Sequence, residues 1–554
     1  MKKIISLVLV MLMMVAAVAC GGGGSTDDPT TSPTATSGQT SSPSTSSSPD
    51  PTDAVVAPSG DEQYGGVLRI VSSAEGATPI GLPWEIFGID VVVLPPYAES
   101  LLVETASGIF YPWLAEEYWI DADTLQIFFK IREGVYFHDG SYLNAEVVRW
   151  NYQMAKDDDA LNPAIIDIQA VDEYLVMMQL DRWQNTLWAG FASHSFAIIS
   201  KENADINGID YARENPVGTG AFAFKEYIRG EKIVYEKFDR YWQEGKPYLD
   251  GIEFVFMRDV MTQNIAFQST GDQSIDVLGT NSAEQVIMHQ GPGVYVAMNP
   301  IGPVSLVPSS FDEESPLSDV RVRQAISYAI DRDAIVAARG FGLMTPATQF
   351  IPEEWEEIRL PDSYNFTFNP DRARELLVEA GYPDGFSSTI YGMPGMADRD
   401  GLVAVQAMLR DVGINVEVEF PDSGGYSDLR FGGWDGLMAQ HTRSFAQASL
   451  NFSMYFGVSE DPANPGGLRH TTMISAWRPY EEMYNAAQEA SRAPEADPEL
   501  LQVMHRIIMD NMMCIPLWNI FEFYIMNENI RDTGYAEWSS NTIFMPQDAW
   551  IANN

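Results

Sequence analysis

The chain has 554 residues, 33 Lys and Arg against 77 Asp and Glu for a formal charge of −44, and two cysteines. That length exceeds what one hydrophobic core supports, so two or more lobes are expected. The acidity speaks against nucleic acid and against docking on anionic headgroups through the protein surface, and two cysteines exclude a disulfide framework.

The first predicted element is a leader. Met1-Lys2-Lys3 is cationic, Ile4 to Val18 is apolar, and Ala17-Val18-Ala19-Cys20 places small residues before a thiol. The apolar run falls short of the ~20 residues of a comfortable transmembrane helix, and four glycines follow it. Residues 1–19 are therefore expected to be a signal peptide. The junction resembles a bacterial lipoprotein signal, which implies lipidation of Cys20; a plain secretory signal with an incidental cysteine is the alternative. Residues 20–60 are dominated by Ser, Thr, Pro and Gly and have no aromatic residue. Such a segment cannot bury enough apolar surface to offset its ordering entropy, so a disordered tether with a reach of roughly 30 to 35 Å is expected.

From Tyr64 onward aromatic and apolar residues are evenly spread. Tyr64 to Val71 alternates and reads as an opening strand; Thr124 to Ile131 and Gly251 to Met257 are further strands of aromatic and β-branched character. Helices punctuate the second half. Ser318 is expected to cap a helix with the stripe Val322, Ala325, Ile326, Ala329 and Ile330, and Asp331 to cap the next, ending at Gly340. Asn369-Pro370 opens a helix that Gly381 closes, and a helix through Val403 and Leu409 stops at Gly413 before the alternating run Ile414 to Phe420. Helix, glycine turn, strand is α/β grammar.

Catalytic constellations are missing from the sequence. None of the six histidines pairs at the i, i+4 spacing of a zinc helix, and no Gly-x-Ser-x-Gly elbow occurs. Asp157-Asp158-Asp159 and Glu353-Glu354 with Glu356-Glu357 read as solvated loop faces, without the spacing of a calcium hand. Gly218-Thr219-Gly220-Ala221-Phe222-Ala223 matches a loose dinucleotide fingerprint, but it follows Asn215-Pro216 and alternates as a strand, so it would not cradle a phosphate. Cys514 lies in an apolar run and reads as a buried small hydrophobe. No enzyme activity and no cofactor are expected, a secreted surface hydrolase being the rival.

Four blocks occur in order along the body. They are Pro112 to Trp119 with Ile131 to Gly140 and Leu143 to Val148; Asn215 to Phe222 leading to Tyr241-Trp242 and Gly245 to Asp250; Leu317 to Arg332; and Leu376 to Tyr382. Together they resemble the family 5 extracellular solute-binding proteins, the dipeptide, oligopeptide and nickel type of receptor for ABC importers. The resemblance implies an α/β, two-lobed periplasmic-binding-protein-like fold (type II, cluster C), with an extra small domain inserted in the first lobe at about residues 111–214. Lobe I would span 61–301 and 521–554, lobe II 302–520, with hinge crossings near Val304 to Ser315 and Leu517 to Phe523. His138-Asp139, which tempts a catalytic reading, would be a structural turn.

The implied function is an extracytoplasmic receptor, monomeric and lipid-anchored to the cell membrane. It would close on a peptide-like or oligosaccharide-like solute and deliver it to ABC permease transmembrane subunits. A sensory or chaperone-like module without a permease remains an alternative. Peptide-binding relatives set an aspartate against the peptide amino terminus, whereas the matching loop here, Gln440 to Gln447, has no carboxylate. His441 and Arg443 would favour a carboxylate or phosphate, and Gln440 with Gln447 a sugar. Trp84 falls where relatives line the cleft; a plain core tryptophan is the other reading.

Overall fold

A computed structural model describes residues 60–553, apart from 73–78, 87, 272–273, 354, 394–397, 442–447, parts of 457–495, 536 and 539–543. Cys20 and the tether lie outside the described residues.

The largest sheet is built from β1 (Val67–Ser72), β6 (Phe222–Ile228), β7 (Lys232–Lys237), β8 (Gly251–Phe256), β9 (Val277–Thr280), β10 (Val294–Pro308), β11 (Phe386–Tyr391), β12 (Ile414–Glu419), β13 (Leu437–His441) and β14 (Ile515–Asn527). Across it the order is β12-β11-β13-β10-β14-β9-β1-β8-β7-β6, and Thr345–Pro346 pairs with β14 off this path. A separate antiparallel sheet, β2 (Ala115–Asp121), β3 (Gln126–Ile131), β4 (Ile165–Asp172) and β5 (Leu175–Leu180) in the order β2-β3-β5-β4, forms within the chain between β1 and β6. Helix α1 (Ala145–Asp157) lies between β3 and β4 in the chain. That sheet and helix fall within the stretch, about residues 111–214, expected to be an insertion, and their buried residues join the same core as Leu68 and Phe254.

The division into lobes is written in the cores. The buried members of the two clusters on one side run from Leu68 to Ala297 and resume at Phe523, ending at Ala549. Those of the other two clusters all fall between Val304 and Ile520. Among the described elements, β10 and β14 are the strands that cross from one side to the other. They pair antiparallel from Val294↔Asn527 to Leu306↔Ile515, with register shifts between Pro300 and Gly302 and between Val304 and Ser305. A bulge bends and twists a strand, so the irregularities sit where the two cores separate.

The helices of the second lobe follow their sequence punctuation. Asp331 accepts from Ala334 N to cap Arg332–Arg339, Asn369 accepts from Arg372 N to cap Pro370–Glu379, and Gly381 takes φ +93° beyond that helix. Helix Arg399–Asp411 buries Leu402, Val405 and Leu409, each worth about 1.5–3 kcal/mol of transfer from water. One cap differs from expectation. Asp319, not Ser318, caps Val320–Ala329 by accepting from Arg321 N, while Ser318 Oγ donates to the carbonyls of Glu313 and Ser315. The preceding residues Pro316–Ser318 form a 3₁₀ turn that shifts the cap by one position.

Candidate functional site

Glu99 is 6% exposed and gathers four donors: Trp113 Nε1 at 2.9 Å, Thr219 Oγ1 at 2.8 Å, Tyr241 OH at 2.8 Å and Trp242 Nε1 at 3.1 Å. Burial raises its carboxyl above the ordinary range, and the four donors pull the other way. Arg132 stacks over Trp242 at 4.5 Å and donates to the Trp113 carbonyl at 3.0 Å. The first two sequence blocks thus converge on one buried carboxylate. That makes them a structural knot joining the inserted domain to the first lobe.

Gly218 and Gly220 belong to the same knot. A Cβ on Gly218 would stand 2.0 Å from Tyr97 O, and one on Gly220 2.4 Å from Pro96 O. These glycines admit a neighbouring backbone, and Phe222 opens a strand, so no phosphate loop forms. His138 Nε2 donates to Gly220 O at 2.8 Å while Nδ1 accepts from Gly218 N at 3.4 Å. Burial lowers the imidazole to about 4, which leaves it neutral. Asp139 accepts from Ser141 Oγ at 2.6 Å and Ser200 Oγ at 2.5 Å. Each polar atom of the pair has a backbone or hydroxyl partner, as a structural turn requires.

A cavity of about 400 Å³ opens beside Trp84. Tyr152, Leu161, Leu187, Phe191 and Phe196 contribute apolar wall from the first lobe and its inserted domain, and Leu450 contributes from the second lobe. Trp84 is 3% exposed, donates from Nε1 to Asp158 Oδ2 at 2.9 Å and meets Trp150 edge to face at 6.4 Å. It is both a packed tryptophan and a wall of the cavity. Asp158 stays exposed, as expected of the Asp157-Asp158-Asp159 face, while accepting this one hydrogen bond. Close by in sequence, Asn185 Nδ2 donates to Ala490 O at 2.8 Å, a buried contact between the two lobes. The volume is within the ~300–1,000 Å³ range of small-molecule pockets.

The predicted site residues are not all brought together. Gln440 and His441 end β13, opposite Ser305 and Val304 of β10, so both stand at the crossing. Gln440 Nε2 contacts Met438 Sδ at 3.2 Å and His441 Nδ1 contacts Met393 Sδ at 3.2 Å; neither lines the Trp84 cavity. Arg443 and Gln447 lie outside the described residues. Cys514 is 1% exposed and buried in an apolar core, and burial pushes its thiol far up. Among the described residues no group of three or more His, Cys, Asp and Glu side chains could hold a metal ion.

A second cavity, of about 120 Å³, lies where the parallel strands β1 and β9 end. Ser72 and Gly279 line it, with Tyr524, Tyr535 and Phe544 as its aromatic wall and Glu522 as a carboxylate. Tyr524 and Tyr535 stack at 3.8 Å, and Tyr535 and Phe544 at 5.1 Å. Burial, and then the charge of Glu522, drive the Tyr535 phenol far above its ordinary range. Neither Glu99 nor Glu522 was singled out from sequence. Glu99 carries no local signal, but Glu522 does: it is the one charge in the apolar run from Ile515 to Met526.

The model of bacterial extracellular solute-binding proteins, family 5 (middle region), matches residues 110–462. Glutathione-binding protein GsiB of Salmonella typhi is 29% identical over 368 residues, covering 61% of this chain and 69% of GsiB. Among solved structures, the periplasmic binding protein DppA of Helicobacter pylori in complex with the peptide STSA superposes with a TM-score of 0.72 at 21% identity, covering 89% of this chain and 99% of DppA. The oligopeptide-binding protein AppA of Bacillus subtilis, in complex with a nonapeptide, does so at 0.71 and 21%, covering 89% and 100%. With over half its length matched and these chains sharing its two-lobed fold, the chain belongs to the family 5 bacterial extracellular solute-binding proteins.

Proposed function

We propose that this protein is the receptor of an ABC importer, capturing a peptide-like solute between two closing lobes and handing it to the permease. The observation that carries the reading is the Trp84 cavity, whose walls come from two lobes with separate cores. A pocket shared in this way is completed only when the lobes approach, so a ligand that fills it favours the closed population, which a permease distinguishes from the open one. The names of the relatives, with glutathione and peptides among their ligands, favour a peptide-like solute over an oligosaccharide.

In this reading lobe I comprises 61–301 and 521–554 with the insertion at about 111–214, lobe II comprises 302–520, and the crossing on β10 and β14 is the hinge. Trp84 contacts the solute directly, with Gln440, His441 and Arg443 approaching from the second lobe. The body acts as a monomer without catalysis, held at the outer face of the cell membrane by a lipid on Cys20. Thermal shift of the purified protein against peptide, sugar and metal-chelate panels tests the assignment. One class should raise the melting temperature as RT ln(1 + [L]/Kd) requires. Turnover of a peptide or glycoside panel, with no ligand shifting the melting curve, would replace the receptor reading by a hydrolase.

A further inference from the structure

Glu522 stands on β14 opposite Asn299 of β10, in the stretch where the two cores part. Side chains alternate along this strand: Phe523 and Ile525 enter the smaller core of the first lobe, Tyr524 and Met526 the larger one. Glu522 therefore shares the Tyr524 face and meets the cavity closed by Tyr535 and Phe544. Among the described residues that line it there is no cation. The cavity lies at the carboxyl ends of the parallel strands β1 and β9, where open α/β sheets take their ligands.

We infer that Glu522, backed by the aromatic stack of Tyr524, Tyr535 and Phe544, binds a positively charged nitrogen group of the captured solute, such as a peptide ammonium. A carboxylate in a cavity walled by aromatic rings is stabilised by an opposite charge, which a neutral sugar does not bring and an anionic solute opposes. Aromatic faces add attraction for a cation, and a molecule of charge −44 concentrates cations around it. The cavity of about 120 Å³ has the liquid volume of about four waters, so it receives an amine-bearing end and not a whole solute. The lack of a carboxylate in the Gln440 to Gln447 loop thus no longer disfavours a peptide, because the counter-charge comes from the crossing strand. This inference rests on the receptor reading.

The test measures binding of full-length protein, stripped of ligand by unfolding and refolding, to a library of free-amine tetrapeptides and to its N-acetylated copy. A panel of non-peptide amines and a panel of sugars and carboxylates run beside them. Free-amine probes should bind at least 10-fold more tightly than their acetylated copies, and Glu522→Gln should erase that difference while its circular dichroism and melting temperature stay those of the parent. Equal binding of free and acetylated probes, an unaltered preference in Glu522→Gln, or silence of every amine would overturn the assignment. A shift by sugars or carboxylates alone would leave the receptor standing and the Glu522 assignment fallen.

Discussion

At the scale of single residues, the polar groups that matter most to this fold are buried and multiply bonded. Replacing Glu99 by Ala would leave two indoles, a phenol and a hydroxyl without their acceptor, at about 3–5 kcal/mol. The expected outcome is a large fall in the urea midpoint; a midpoint within error of the parent would show that the knot is dispensable. His505 makes a different prediction. It is fully buried, Nδ1 donates to Ile358 O at 3.0 Å, and burial holds its pKa at about 4. The unfolded chain, with histidine near 6.5, binds the proton first, so the neutral native form contributes stability that is present above 6.5 and drains away as pH falls toward about 4. The loss is about 3 kcal/mol by the usual conversion. Denaturation midpoints measured from neutral to acid pH should decline less steeply in His505→Asn, and parallel curves would refute the role. Neither residue could be singled out by reading along the chain. The partners of Glu99 lie as far away as Trp242, and nothing in the local sequence of His505 distinguishes a buried histidine from a surface one.

At the scale of elements, periodicity and punctuation were informative. Strand Val67–Ser72 and helices Arg332–Arg339, Pro370–Glu379 and Arg399–Asp411 fall where alternation, capping side chains and glycine stops place them. Such signals are local, involving groups a few residues apart. The site depends instead on which distant elements meet. Trp84 and Leu450 share a cavity although hundreds of positions separate them, and Glu522 lines a cavity with Gly279 because β14 lies beside β9. Tight approach between elements gives a further prediction. Gly220→Ala forces a Cβ into the Pro96 and Tyr97 backbone and should cost about 3 kcal/mol, whereas Gly291→Ala, where an added Cβ meets nothing, should stay within about 0.5 kcal/mol. Equal stability of the two variants would contradict the close approach.

At the scale of the whole molecule, the resemblance carried by the four blocks was sufficient for the family and the fold, because those blocks supply the knot and helix caps on which the architecture rests. It said little about the ligand. The blocks are scaffold, and the residues around the two cavities lie mostly between them. The anchor belongs to this scale as well: Cys20→Ser should move the protein from the membrane fraction to the soluble one, and retention of the variant with membranes would refute lipidation at that position. The paired crossing has one more consequence. The second core is assembled from one continuous stretch that is complete at Ile520, but the first needs strands from both ends of the chain. As a polypeptide threads outward with its amino end leading, the half begun earliest is finished last, and Leu68 must wait for Ala549 before its core can shut.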